Sequence, residues 1–84
     1  MATKQAAHKR TFREIRKSLL LNLTQGQKNV NQLADAAHVN WHTTRRQMIY
    51  LIGFGYARYV VNYPQVKIFE ITEKGMDALD HKKV

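Results

Sequence analysis

The chain has 84 residues, of which 44% are hydrophobic and 24% are charged, and its net charge at pH 7 is +8. This length is enough for one small domain, and no apolar run reaches the roughly 20 residues that a membrane-spanning helix needs. The absence of cysteine excludes a disulfide framework and a cysteine-ligated metal site. We therefore expect a cytoplasmic protein with no membrane partner.

The positive charge is concentrated in the first three quarters of the chain. Residues 1–61 contain ten lysines and arginines against only Glu14 and Asp35, whereas four bases and four acids balance each other from residue 62 onward. A one-sided field of this kind favours a polyanionic partner. The alternative is that the charge only keeps a small protein in solution.

The first predicted element is a helix that follows a basic N-terminal arm over residues 1–10. Thr11 and Glu14 have the spacing of a capping box, and Gly26 is expected to stop the helix. Apolar residues recur on one helical face, which should meet the core. That face consists of Phe12, Ile15, Leu19 and Leu23.

Two further helices are predicted next, joined by a tight turn. Asn31 is the expected N-cap of the second helix, and Asn40 is the expected N-cap of the third, which covers residues 41–52 and ends at Gly53 or Gly55. Small residues let the two helix backbones approach closely where they cross. The second helix should face the core with Leu33, Ala34 and Ala37.

After Gly55 the spacing of the apolar residues changes from a helical to an extended pattern. The runs "YARYVV" and "VKIFEIT" are rich in β-branched and aromatic residues, and "NYPQ" between them forms turns, so the sequence predicts an antiparallel hairpin. A very short strand near Asn29 or Val30 is expected to pair with it. Thr72 then caps a last short helix that contains Met76 and Leu79.

This order predicts an α+β domain over residues 11–81, followed by a tail over residues 82–84. A three-helix bundle is followed by a two-stranded antiparallel hairpin and a short C-terminal helix. The stretches "VNQLADAAHVNWHTTRRQMIYLIGFGYARYV" and "FEITEKGMDAL" resemble the winged helix-turn-helix of microbial transcription regulators, of a small archaeal or viral type similar to the PadR and MarR groups. The chain departs from that pattern at His38, where many relatives place Gly, and in the shortness of its last helix.

The third helix carries the predicted site. Its period turns one set of residues to the core, namely Thr44, Met48 and Leu51. The opposite side is an outward strip that consists of His42, Arg45, Arg46 and Ile49, with Trp41 at its leading end. The resemblance implies that this strip enters the major groove of double-stranded DNA.

The chemistry of these residues agrees with that implication. Arg45 or Arg46 can bond guanine O6 and N7 through a planar fork, and Ile49 can meet a thymine methyl group. Asn40 and the backbone N–H groups that follow it are placed to bind a phosphate. Each residue also has a simpler interpretation: Trp41 could fold back onto the core, and the arginines could be solvated charges.

The hairpin, as a wing, and the basic arm offer further contacts to the DNA backbone or the minor groove. In the hairpin these are Arg58, Tyr63, Gln65 and Lys67. In the arm and first helix they are Lys9, Arg10, Arg13, Arg16 and Lys17. By contrast, Tyr50, Tyr56 and Tyr59 are interpreted as packing at the core edge.

We therefore predict a sequence-specific, non-enzymatic DNA-binding regulator of transcription, without a metal, cofactor or small-molecule ligand. The four histidines have no metal-binding spacing. By resemblance it forms a homodimer, through Phe12, Leu20 and Leu21 or through Met76 and Leu79. Two alternatives remain open: a winged-helix protein-interaction module, and a sequence-neutral architectural or RNA-binding protein.

Overall fold

The computed structural model describes residues 10–84, so residues 1–9 of the predicted arm lie outside the described residues. The elements in chain order are α1 (Phe12–Leu23), β1 (Lys28–Asn29), α2 (Val30–Ala37), α3 (Trp41–Gly53), β2 (Ala57–Asn62), β3 (Lys67–Ile71) and α4 (Glu73–Asp80). The predicted order of three helices, hairpin and final helix is confirmed. None of the helices in residues 10–84 is long and apolar enough to cross a membrane.

Helix α1 begins at the predicted capping box. The Thr11 hydroxyl accepts from the Glu14 backbone N–H at 3.0 Å, and the Glu14 carboxylate accepts from the Thr11 N–H at 2.8 Å. The core-facing prediction is wrong for Phe12, which is 57% exposed. Helical side chains tilt toward the N-terminus, so this first residue extends beyond the elements that cover Ile15.

Leu20, predicted as part of an exposed patch, is fully buried. Both α2 and α3 pack against α1, so the buried stripe of α1 is wider than one row of side chains. The buried residues of the helix are Ile15, Leu19, Leu20 and Leu23. The exposed apolar patch on this helix is therefore reduced to Phe12 and Leu21.

Helix α2 starts two residues earlier than the sequence predicted. The cap is Asn29, whose side chain accepts from the Gln32 N–H at 2.8 Å, while the Gln32 side chain accepts from the Asn29 N–H at 2.9 Å. The prediction of Asn31 as cap is wrong because Gln32 can close a reciprocal box only with the residue three positions before it. Asn31 lies exposed in the first turn.

The turn between α2 and α3 passes through His38 in the left-handed conformation, with φ 56° and ψ 47°. Glycine adopts this conformation without steric cost, which explains why the resembling family often has Gly here, whereas in this chain His38 adopts it. Asn40 then caps α3 as predicted, its side chain accepting from the Thr43 N–H at 2.8 Å. The α3 helix ends at Gly53, and Gly55 follows with φ 82°.

The three strands form one antiparallel sheet in the order β1-β3-β2. The predicted short strand is confirmed: Lys28 pairs with Phe69, and Asn29 pairs with Ile68. The hairpin register shifts between Tyr59 and Val61, which marks a bulge in β2. Phe69 is buried in the core at the centre of this sheet.

Helix α4 is attached to the end of α3 through the predicted cap Thr72. The Thr72 hydroxyl accepts from the Gly75 N–H at 3.0 Å and donates to the Gly55 carbonyl at 2.6 Å. Gly75 lies so close to the neighbouring backbone that an added Cβ would be 2.1 Å from the Tyr56 carbonyl oxygen. After α4 the chain returns to the core, where Val84 is buried.

Gly75→Ala should destabilise the fold, by about 2 to 3 kcal/mol, because the new methyl group overlaps the Tyr56 backbone. Gly53→Ala is the matched control, since an added Cβ there meets no atom within 4 Å and alanine favours the helix. Thermal unfolding followed by circular dichroism should show a lower Tm for the first variant and an equal or higher Tm for the second. A shift of both in the same direction would contradict this packing.

Candidate nucleic-acid interface

Helix α3 divides into a buried face and an exposed face. Thr44, Met48 and Leu51 are buried as predicted. The outward strip of His42, Arg45, Arg46 and Ile49 is exposed along its whole length. The helix contains no acidic residue. The strip therefore presents two guanidinium groups and one apolar side chain to solvent.

Gln47 is a buried polar residue of α3 that the sequence reasoning missed. It is 1% exposed, and its side-chain oxygen accepts from Arg16 Nη1 at 2.9 Å. The Arg16 guanidinium also lies 5.9 Å from the centre of the Tyr50 ring. Arg16 thus links α1 to α3. The sequence could have predicted the burial of Gln47, because it follows the core residue Thr44 by three positions and so lies on the same helical face.

Trp41 lies at the front of the strip and is 44% exposed. Its ring meets the His42 ring edge-on at 5.3 Å, and the Arg45 guanidinium lies 6.0 Å from its centre. The alternative in which Trp41 folds back onto the core is not the observed arrangement. The front of α3 is therefore an aromatic and cationic surface.

The tip of the hairpin lies across an open cleft from this surface. The cleft has a volume of about 440 Å³ and is lined by the start of α2, by Trp41 and Arg45, and by residues 64–67. Tyr63 and Gln65 are exposed at the tip. Lys67 Nζ donates to the Asn62 side chain at 2.7 Å and to the Tyr63 carbonyl at 3.3 Å, which holds its charge at the tip.

Arg58 is the predicted hairpin contact whose charge is paired. Its Nε donates to a Glu70 carboxylate oxygen at 2.5 Å, and Gln27 donates to the other oxygen at 3.1 Å. These two hydrogen bonds, the Arg58 bond first, hold the pKa of Glu70 below its ordinary value. Within residues 10–84 the other salt bridge joins His81 and Asp77, so neither arginine of α3 is ion-paired there.

Arg10 and Arg13 both hydrogen-bond to backbone carbonyls of the domain. Arg10 donates to the carbonyls of Ala37 and His38 at 2.7 and 2.6 Å, where α2 ends. Arg13 donates to the carbonyls of Lys82 and Val84. Both guanidiniums therefore bond backbone oxygens inside the domain, and a phosphate contact by either residue stays a prediction.

No cation site accompanies this interface in the part of the chain that the structure describes. Residues 10–84 contain no group of three His, Cys, Asp or Glu residues that could hold a metal ion. His38 and His42 lie on either side of the turn and share no helical face.

No protein-family model matches the chain, and no curated protein sequence matches it. Solved structures do match. Sso10a-2, a DNA-binding protein from Sulfolobus solfataricus, superposes with a TM-score of 0.74 at 23% identity, over 88% of this chain and 76% of its own. A MarR family transcriptional regulator from Silicibacter pomeroyi gives 0.72 at 26% identity, over 82% of this chain and 48% of its own. The chain is a winged helix-turn-helix protein.

A third match concerns a structure that contains DNA. A variant of ZitR from Lactococcus lactis, solved in complex with DNA, has a TM-score of 0.69 at 13% identity, over 82% of this chain and 52% of its own. The chain thus spans about half the length of ZitR and of the MarR family regulator. In winged-helix terms α2 and α3 form the helix-turn-helix, α3 is its second helix, and the β2–β3 hairpin is the wing.

Arg58→Gln should raise the pKa of Glu70 toward its ordinary value, because it removes the strongest bond to the charged carboxylate. Gln27→Ala should shift it less, in the same direction. A lowered pKa in the folded state means that the stabilisation is present above the unfolded pKa and is lost as the pH falls through the folded pKa. A carboxyl NMR titration measures both shifts. An unchanged Glu70 titration in Arg58→Gln would contradict the pairing.

Proposed function

We propose that this protein is a non-enzymatic, sequence-specific DNA-binding regulator of transcription. The main support for this proposal is the outward strip. It is an exposed face of α3 without acidic residues, and its two arginines have no ion-pair partner within residues 10–84. In a helix-turn-helix the second helix occupies the major groove, which admits one α-helix. The strip offers the donors and the apolar contact that groove recognition needs.

Within the strip, Arg46 is assigned to base recognition and Arg45 to the groove wall. The two residues are adjacent, so their side chains lie about 100° apart around the helix axis. The Arg45 guanidinium lies near the Trp41 ring, and Arg45 lines the cleft beside the wing. Ile49 continues the exposed line of Arg46 and is placed for a thymine methyl group.

Phosphate contacts are assigned to the start of α3 and to the wing. Asn40 starts α3 and uses its side chain on the Thr43 N–H, which leaves other N–H groups of the first turn for a phosphate. On the wing, Tyr63, Gln65 and Lys67 are placed for the backbone or the minor groove. Arg58 is a weaker candidate because a phosphate would compete there with Glu70.

The structural neighbours support the proposal, since two are described as a DNA-binding protein and a transcriptional regulator and a third is in complex with DNA. We also propose that the protein acts in the cytoplasm. We propose a homodimer, because a single module buries little surface on DNA. Of the residues predicted for pairing, Phe12, Leu21 and Met76 are exposed, whereas Leu79 is partly buried against the core. Leu20 is excluded by its burial.

Arg46→Ala should lower affinity for the preferred duplex by about 1 to 3 kcal/mol and relax the preference at one base pair of each half-site. Arg46→Lys should restore only part of this, since an ammonium group lacks the planar fork. The preferred duplex is first selected from a random pool, and fluorescence anisotropy then gives the ratio of preferred to random affinity.

Arg45→Ala and Lys67→Ala are the controls, and both should weaken preferred and random duplexes to a similar extent. Thermal melting checks folding, because replacing an exposed arginine should change stability by less than about 0.5 kcal/mol. If Arg46→Ala leaves the affinity ratio intact, the base-recognition role of Arg46 is wrong. If no duplex is preferred over random DNA, the protein is sequence-neutral.

The salt dependence of binding should be steep. Each phosphate contact releases counterions, so the logarithm of affinity should fall linearly with the logarithm of salt concentration, by about 0.9 per contact on B-DNA. Lys67→Ala should reduce that slope by about one contact. Affinity that hardly changes with salt would point to a protein-interaction module instead.

A further inference from the structure

A row of aromatic rings lies at the C-terminal end of α3, apart from the front of the outward strip. Tyr50 and Phe54 stack with ring centres 6.5 Å apart and planes inclined by 23°, and Phe54 contacts Tyr56 at 5.5 Å. Tyr50 is 53% exposed and Phe54 is 49% exposed. The interpretation of Tyr50 as core-edge packing is therefore wrong. We call Tyr50, Phe54 and Tyr56 the aromatic row.

A cationic side chain lies near the ring at each end of the aromatic row. The Arg16 guanidinium lies 5.9 Å from the centre of the Tyr50 ring, and Lys74 Nζ lies 5.8 Å from the centre of the Tyr56 ring. Arg46 borders the same surface, an open groove of about 400 Å³. The acidic residue nearest in sequence to Lys74 is Glu73, which precedes it in the first turn of α4.

We propose that the aromatic row binds single-stranded nucleic acid, with bases stacked on Tyr50 and Phe54 and phosphates near Arg46 and Lys74. Exposed rings interleaved with cations are the combination that holds single strands, since every base has a face to stack and every linkage has a charge to neutralise. This site goes beyond duplex recognition by the outward strip, with which it shares Arg46 and Ile49.

The shape of the groove agrees with a stacked base. Gly53 lies between Ile49 and Phe54 in the groove lining, and a Cβ added to it would meet no atom within 4 Å. The floor of the groove is therefore open where a ring edge would enter. Each stacked base would cover apolar ring surface that the fold leaves in water.

Charge decides between a nucleic acid and a second copy of this chain as the occupant. Pairing two copies through the aromatic row would bring Arg16 and Lys74 of both copies to one interface, where like charges repel and lose water. A polyanion neutralises the same cations. The net charge of +8 favours the polyanion as well.

The two nucleic-acid surfaces can be measured separately. Helix α3 has 13 residues, so Trp41 at its start lies on the order of 20 Å from Phe54 at its end. Trp41 is the single tryptophan of the sequence. Its emission therefore reports a duplex on the outward strip and should respond little to a strand on the aromatic row.

The test uses the full chain and a labelled oligothymidylate of about eight nucleotides, compared with an abasic oligomer that has the same number of phosphates. The thymidylate should bind tighter, and Phe54→Ala and Tyr50→Ala should each weaken it by about tenfold without affecting the abasic oligomer. Phe54→Tyr should retain binding because it keeps the ring. Val60→Ala is the control, because Val60 is an exposed apolar residue outside the row and outside the residues proposed for duplex or dimer contacts.

Lys74→Ala should weaken both oligomers alike, because it removes a phosphate contact and no ring. Equal affinity for thymidylate and abasic oligomer would overturn the proposal, whatever duplex preference the outward strip shows. A sedimentation experiment without nucleic acid in which Phe54→Ala converts a dimer to a monomer would also overturn it, by showing that a second copy covers the row. Arg46 borders both surfaces, so Arg46→Ala should relax the duplex preference and also weaken both oligomers alike. Phe54→Ala should leave the ratio of preferred to random duplex affinity unchanged, which separates the two proposals.

Discussion

The seating of α3 on α1 is the contact on which the proposed recognition surface depends. Four side chains of α3 are buried, namely Thr44, Gln47, Met48 and Leu51, and Gln47 accepts a hydrogen bond from Arg16 of α1. A buried amide without a partner costs more than an apolar side chain of the same size, so this bond favours one rotation of α3 over its alternatives. The direction of the outward strip follows from that rotation.

The basic residues near the N-terminus show why a net charge overstates the charge available to a partner. Arg10 bonds the end of α2, Arg13 bonds the chain near Val84, and Arg16 bonds Gln47. Each guanidinium acts as a multidentate donor to oxygens inside the domain. A charge count cannot separate this use of arginine from a phosphate contact, because both need the same group.

Local signals predicted most of the fold, whereas the errors concern tertiary contacts and one pair of neighbouring cap residues. Thr11, Asn40 and Thr72 cap their helices as predicted because a cap involves residues within three positions. The prediction of Asn31 as the cap was wrong because Asn29 is an equally good cap residue and only Gln32 distinguishes the two. The exposure of α3 followed from its period, whereas the Arg58–Glu70 pair joins residues 12 apart across the hairpin and has no local signal.

The bulge in β2 divides the wing into a half next to the core and a half at the tip. Toward the body of the domain, Tyr59 pairs with Phe69 and their rings contact at 5.2 Å, so this half is fixed to the core. Beyond the shift, Val61 and Asn62 pair with Ile68 and Lys67 on a strand that the bulge has bent and twisted. The direction in which the wing tip projects is therefore set at the bulge, between the half fixed to the core and the exposed turn.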